Sequence, residues 1–113
     1  MATFETARAI ALALPEVTEG LSHGTPAFHV RKAFFSRLRE EDVLVVKCDL
    51  GYVDALIGME PDIYFSTPHY AGYPYVLVRL SRIEEDALRD LLADGWRLSA
   101  PKRLVAAFDA GRA

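Results

Sequence analysis

The sequence predicts an α+β domain, a mostly antiparallel sheet with helices on one face, and two observations carry that prediction. Apolar residues recur at three- and four-residue spacing near both ends of the chain, as on the buried stripe of a helix. Residues 17–46 instead show alternating or continuous apolar runs separated by short polar turns. Strands joined by such tight turns pair antiparallel, because a parallel crossover needs a dozen or more residues. The helices then cover one face of the sheet.

The first half of the chain is predicted to form one helix and four strands. The helix begins after Thr3, a suitable N-cap, and ends at Pro15. The strands are predicted at residues 17–23, 27–31, 33–39 and 43–46. Arg31 and Lys32 lie at the turn between the second and third strands, so these two strands are expected to form a β-hairpin.

The second half is predicted to contain a short helix, two strands and two further helices. The segments are a helix at 50–57, a strand at 63–65, a loop at 66–74 and a strand at 75–80. Ser81 and Glu84 have the spacing of a capping box before the next helix, and Pro101 suits the first turn of the last one. A chain of 113 residues buries about two-thirds of its unfolded surface in one core, so a single domain over residues 1–113 is expected.

Composition narrows the possible classes of protein. With 51% hydrophobic and 26% charged residues, the chain has the balance of a globular domain. One cysteine forms no internal disulfide, and the first residues lack a basic segment followed by a long apolar core, so a cytoplasmic location is expected. No apolar run reaches the roughly 18 residues of a membrane helix, and no membrane partner is expected.

Motifs for catalysis, metals and cofactors are absent from the sequence. The seven glycines form no dinucleotide or P-loop pattern, and no two histidines have the spacing that places both on one helix face. A nucleophile–base pair between Cys48 and His23, His29 or His69 stays open, because such partners can be remote in sequence. Cys48 follows an apolar strand, however, as a buried core thiol does. A non-enzymatic protein with no metal and no cofactor is therefore expected.

Basic residues are concentrated in two segments without acids. Residues 24–39 carry four positive charges and residues 95–108 carry three, although the whole chain has a net charge of −3. The candidate nucleic-acid contacts are Arg31, Lys32, Arg37, Arg39, Lys102 and Arg103. Strict alternation along the third strand places Arg37 and Arg39 on one face, as a row suited to a phosphate backbone. Alternatively, these cations protect a strand edge and pair with the acids at 40–42.

A loop rich in aromatic residues is the second unusual feature. Residues 64–75 hold five aromatic residues and one histidine. Tyrosine presents a flat apolar face and a hydroxyl, so His69, Tyr70 and Tyr73 are candidate contacts for a small ligand, a protein partner or unpaired bases. The alternative is that these side chains pack as a lid on the core.

Several short motifs, taken in order, resemble the YjbR/MmcQ-like proteins over roughly residues 4–108. They lie at residues 23–30, 32–35, 46–48 and 74–78 and in the helical segment around 91–104. The resemblance implies a compact α+β domain with a double-wing arrangement and DNA binding. It further implies that the hairpin at Arg31 and Lys32 is one wing and that residues 69–73 border the other. Tyr75 departs from the family, since many relatives carry tryptophan near this position.

Two functional hypotheses result. The first is a non-enzymatic domain that binds duplex DNA weakly through about four phosphates, which gives a slope of log K against log salt of about −3.6. The second is a module that binds a small ligand or a protein partner through the aromatic loop at 64–75.

Overall fold

The structure is a computed structural model that describes residues 2–112. The helices are α1 (Phe4–Ala13), α2 (Leu50–Met59), α3 (Glu85–Ser99) and α4 (Lys102–Arg112). The strands are β1 (Val17–Ser22), β2 (Thr25–Val30), β3 (Ala33–Glu40), β4 (Val43–Lys47), β5 (Tyr64–Phe65) and β6 (Tyr75–Arg79). A short 3-10 helix (Leu80–Arg82) precedes α3. Residues 1 and 113, the ends of the predicted domain, lie outside the described residues.

The six strands form one antiparallel sheet in the order β1-β2-β3-β4-β6-β5, which confirms the predicted fold class. The predicted hairpin is also confirmed, because Val30 pairs with Ala33 across Arg31 and Lys32. A second tight turn joins β1 to β2 at His23 and Gly24, whose φ angles are 54° and 80°. Two consecutive left-handed residues are the signature of a type I′ turn, which matches the twist of the two strands.

All four helices pack against one face of the sheet. The centre of this core is Trp96 of α3, which is fully buried and donates its indole N–H to the carbonyl of Pro15 at 3.0 Å. Next to it, Gly95 lies so close to β4 that a Cβ there would be 2.9 Å from the carbonyl oxygen of Lys47. The absence of a side chain at Gly95 therefore allows α3 to lie directly on the sheet.

The strict alternation predicted along β3 is wrong. The register between β2 and β3 shifts at Phe28 and His29, a β-bulge that leaves Phe35 without a directly opposed partner. As a result Phe35 and its neighbour Ser36 are both buried, and Ser36 lies in register with the core residues Phe28 and Val46. Arg37 consequently lies on the face of the sheet opposite the helices.

The predicted capping box at Ser81 is also wrong. Ser81 lies in the 3-10 helix, and its hydroxyl donates to the carboxylate of Asp42 at 2.6 Å. The backbone N–H of Ser81 donates to the same carboxylate at 2.9 Å. Asp42, in the turn between β3 and β4, therefore fixes the end of β6, a contact between residues too distant in sequence for spacing rules to detect.

Candidate ligand-binding cavity

The outer face of the sheet, opposite the helices, is covered by a loop instead of a helix. Ala27, Val45 and Leu77 are at most 1% exposed, although they lie outside the core formed with the helices. The loop at 66–74 is ordered by its own backbone hydrogen bonds, including those from Tyr70 and Ala71 to the carbonyl of Thr67, both at 2.9 Å. The loop that covers this part of the outer face is therefore compact and is stabilised by its own hydrogen bonds.

Between this loop and the sheet lies a cavity of about 300 Å³, named here the outer cavity. Its sheet side is formed by residues of five strands: Leu21, Ser22, His29, Phe34, Arg37, Val45 and Tyr75. His23 of the β1–β2 turn and His69 and Tyr70 of the loop complete it. A cleft of this size with apolar walls and a few convergent polar groups is typical of small-molecule sites.

Arg37 supplies the charge of the outer cavity. Its guanidinium donates to the hydroxyl of Tyr70 at 2.9 Å and to Thr25 Oγ1 at 3.3 Å, and it reaches the carbonyl oxygen of Leu38 at 3.5 Å. Within residues 2–112 no carboxylate forms a salt bridge with it. Arg37 is therefore a partly buried cation whose hydrogen-bond partners are all neutral oxygens.

Aromatic rings form a continuous series around the cavity. His29 contacts Phe34 and Phe34 contacts Tyr75, each with ring centroids 5.9 Å apart. Tyr75 continues to Tyr70 at 6.0 Å, and Tyr70 to His69 at 4.8 Å. The angles between adjacent ring planes run from 59° to 85°, so the contacts are tilted or edge-to-face. Five rings are thereby held at fixed angles beside one guanidinium.

All three histidines of the chain line the outer cavity, although they lie on three different segments. His23 is at the mouth, with its Nδ1 3.2 Å from the hydroxyl of Ser22. Among the described residues, no three histidine, cysteine or acidic side chains are grouped as metal ligands. The imidazoles are available as hydrogen-bonding groups and as aromatic surfaces.

Two of the cations predicted to contact nucleic acid are engaged in ion pairs. Arg31 pairs with Glu16 at 2.7 Å, and this hydrogen bond lowers the pKa of the Glu16 carboxyl below its usual range. Arg39 pairs with Glu40, as the alternative interpretation of the sequence expected. Both arginines of the row predicted on β3 are therefore engaged within the protein: Arg39 with Glu40, and Arg37 in the outer cavity.

The other three predicted cations are exposed, and none of them forms a salt bridge among residues 2–112. Lys32 lies at the tip of the β2–β3 hairpin, and Lys102 and Arg103 lie in the first turn of α4. The hydroxyl of Ser99, at the end of α3, donates to the carbonyl of Phe34 at 3.4 Å. This contact brings the α3–α4 connection beside the start of β3, so the two acid-free segments meet at one end of the sheet.

The sequence predicts part of the lining of the outer cavity but not all of it. Of the aromatic candidates, His69 and Tyr70 line the cavity, whereas Tyr73 is 60% exposed and lies outside it. The sequence predicts Phe34 only as a strand residue, and it predicts Tyr75 as the last residue of the aromatic loop at 64–75 without naming it as a contact. Each lies near one end of its strand and faces outward. The alternation of side chains along a strand is the signal that could have placed both residues on the outer face.

Cys48 lies apart from the histidines. It borders a separate groove of about 290 Å³ with Lys47, Tyr52 and Leu98. Burial, with smaller contributions from the charges of Asp49 and Asp94, raises the pKa of its thiol to about 11. The thiol is therefore protonated at neutral pH, as expected for a core cysteine.

Two larger depressions lack the combination of groups found in the outer cavity. One, of about 400 Å³, lies beside Pro61 and Asp62, whose carbonyl oxygens already accept from Arg79. The other, of about 490 Å³, includes Asp42, whose carboxylate is bound to Ser81. The outer cavity differs from both because a guanidinium and five rings converge on it.

Among residues 2–112, no helix combines the length and the hydropathy that a membrane span requires.

The fold and the outer cavity define a class: a small α+β protein whose single antiparallel sheet carries helices on one face and a cationic, aromatic cavity on the other. The YjbR family matches residues 12–98, and the chain belongs to that family. This confirms the resemblance found in the sequence.

The chain is also similar to two curated proteins and to one solved structure. The uncharacterized protein Rv2570 of Mycobacterium tuberculosis and the uncharacterized protein Mb2600 of Mycobacterium bovis are each 53% identical to it over 60 residues. The aligned part spans 53% of this chain and 46% of each relative, less than half of their length. The crystal structure of Deinococcus radiodurans protein DR2400, with a DUF419 domain, has a TM-score of 0.78 at 20% identity and covers 91% of this chain and 82% of that one. The likeness to DR2400 shows the fold.

Proposed function

We propose that the protein is a non-enzymatic binding module that takes a small organic molecule into the outer cavity. The observation that carries the proposal is the hydrogen bond of 2.9 Å between Arg37 and Tyr70. It joins the cation of β3 to the aromatic loop over a cavity of about 300 Å³. From the sequence, Arg37 is a candidate contact for nucleic acid and Tyr70 a candidate contact for a ligand or partner. The proposal assigns both residues to one binding site.

A small molecule fits this cavity better than a protein partner does. Tyr70 points into the cavity and is held by Arg37, so its ring is not presented as a flat contact surface. Tyr73, the loop tyrosine with 60% exposure, is the residue that a protein partner would meet. A concave site favours occupants that it can surround, because burial on several sides removes more apolar surface from water.

The pair Tyr70 and Tyr73 provides a matched test. We expect Tyr70→Ala to weaken binding of small aromatic probes by about tenfold, since it removes one ring and the hydroxyl on Arg37. Tyr73→Ala removes the same atoms from the same loop and is expected to leave binding unchanged. The measurement is an amide chemical-shift titration with benzoate, benzamide and phenol.

In that titration the wild-type shifts are expected near Phe34, Arg37 and Tyr75. Shifts confined to another surface, or equal losses in the two tyrosine variants, would contradict the proposal. A folded spectrum of each variant, recorded without probe, separates lost binding from lost structure.

DNA binding is the second candidate function, and one observation favours it. The bond from Ser99 to Phe34 brings the exposed cations of α4 to the same end of the sheet as Lys32. Of the six cations that the sequence predicts as nucleic-acid contacts, Lys32, Lys102 and Arg103 are exposed and form no salt bridge among residues 2–112. The double-wing description and a cytoplasmic location stay predictions.

If these three cations each neutralise one phosphate, log K for duplex DNA falls with log salt at a slope of about −2.7. Lys32→Ala with Lys102→Ala is expected to reduce the steepness of that slope by about 1.8. Arg82→Ala with Arg89→Ala removes the same charge near the start of α3 and serves as the control. Fluorescence anisotropy across a salt series measures both, and equal slopes in the two double variants would reject this surface.

A further inference from the structure

The charge balance of the outer cavity is one-sided. Arg37 is cationic, and the other polar side chains that line the cavity are hydroxyls and imidazoles. Among the described residues, none that lines it is a carboxylate. Elsewhere among the described residues of this net-acidic chain, five arginines are already paired with acids: Arg8, Arg31, Arg39, Arg89 and Arg97.

A guanidinium in this position favours an anion from outside the protein. Partial burial removes water from the charge, and neutral oxygens replace that water only in part. A planar carboxylate or phosphate matches the fork of the guanidinium and forms charge-assisted hydrogen bonds. Tyr70, whose hydroxyl accepts from Arg37, can also donate its own proton to such an oxygen.

The aromatic series defines the rest of the ligand. Phe34 and Tyr75 on the sheet side and Tyr70 on the loop side present ring faces and edges to the cavity. A flat ring that enters between the loop and the sheet makes tilted or edge-to-face contacts without reordering these side chains. Leu21 and Val45 supply apolar surface at the mouth and on the sheet side.

We propose that the ligand of the outer cavity is an aryl anion: a single aromatic ring with a carboxylate or phosphate group, the anion on Arg37 and the ring against Phe34 and Tyr75. This inference rests on the proposed small-molecule function and names its ligand class. The anion and the ring are both required, because the guanidinium and the aromatic series line the same cavity.

Isothermal titration of the whole chain at neutral pH with benzoate, benzamide, phenyl phosphate and inorganic phosphate tests the inference. Benzamide has the shape of benzoate without its charge. Benzoate is expected to bind about tenfold or more tightly than benzamide, in line with a charge-assisted hydrogen bond. Phenyl phosphate is expected to exceed inorganic phosphate by a similar factor, since only the former carries a ring.

The variant Arg37→Gln is expected to reduce benzoate affinity to the benzamide level while leaving benzamide unchanged. Arg31→Gln removes an equal charge outside the cavity and is expected to alter neither. The wild-type comparison of benzoate with benzamide does not depend on how well Arg37→Gln folds.

The outcomes separate the two proposals. Equal affinity for benzoate and benzamide, or for phenyl phosphate and inorganic phosphate, overturns the aryl-anion inference and leaves a small-molecule site. Failure of every aromatic probe to bind overturns both. Whichever of benzoate and phenyl phosphate binds more tightly assigns the anion as carboxylate or phosphate, and either assignment supports the inference.

Discussion

Trp96→Ala is expected to destabilise the protein by about 3–5 kcal/mol, the usual loss for a large aromatic residue deleted from a core. The side chain is fully buried between the sheet and the helices, and its ring lies 4.9 Å from that of Phe108 in α4. Its removal also leaves the carbonyl of Pro15 without the indole donor that ties the end of α1 to α3. Urea unfolding followed by circular dichroism gives the free-energy difference.

Leu98→Ala is the matched control for this substitution. Leu98 lies on the same helix but is 50% exposed, so a change of less than about 1 kcal/mol is expected. Similar losses in the two variants would show that Trp96 does not have the central packing role described above.

Gly95→Ala is expected to destabilise the protein by about 1–3 kcal/mol, the range for overpacking, although alanine is the better helix former. The added Cβ would lie 2.9 Å from the carbonyl oxygen of Lys47 and 3.1 Å from Cγ1 of Val46. The first contact is with backbone, so relief requires α3 to move away from β4.

Gly58→Ala introduces the same methyl group into α2, where nothing lies within 4 Å of it. It is expected to stabilise the protein by several tenths of a kcal/mol up to about 1 kcal/mol, through helix propensity alone. The two substitutions should therefore shift the urea midpoint in opposite directions. Stabilisation by both would contradict the close approach of α3 to the sheet.

The order of helices and strands was predictable because it depends on local patterns. The three-residue spacing in α1 and α3, the short turn at Arg31 and Lys32, and the continuous apolar run of β4 each act within a few residues. Antiparallel pairing then followed from turn length alone. These signals define the fold class without reference to distant contacts.

The outer cavity was only partly predictable because long-range contacts create it. Strict alternation grouped Arg37 with Phe35, which is a core residue, and only the β-bulge opposite Phe28 and His29 separates the two. The bulge allows Phe35 to pack against α3, where its ring lies close to Gly95. Gly95 is about sixty residues further along the chain than Phe35. The bond between Arg37 and Tyr70 spans 33 residues, and no spacing rule relates them.

The ion pairs of the predicted cations were also only partly predictable from the sequence. The pair of Arg39 with its neighbour Glu40 is local and was foreseen as an alternative. The pair of Arg31 with Glu16 spans 15 residues and forms because β1 and β2 lie side by side. Charge counts along the sequence therefore overstated the cations that remain free for a phosphate backbone.

A crystal structure of the protein with benzoate is the most direct test of the central claim, that Arg37 and the aromatic series form one site for an organic anion. The expected result is a carboxylate within hydrogen-bond distance of the Arg37 guanidinium, with the ring beside Phe34 and Tyr75. Benzoate ordered in another groove, such as the one beside Cys48, with Arg37 still bound only to its neutral protein partners, would contradict it.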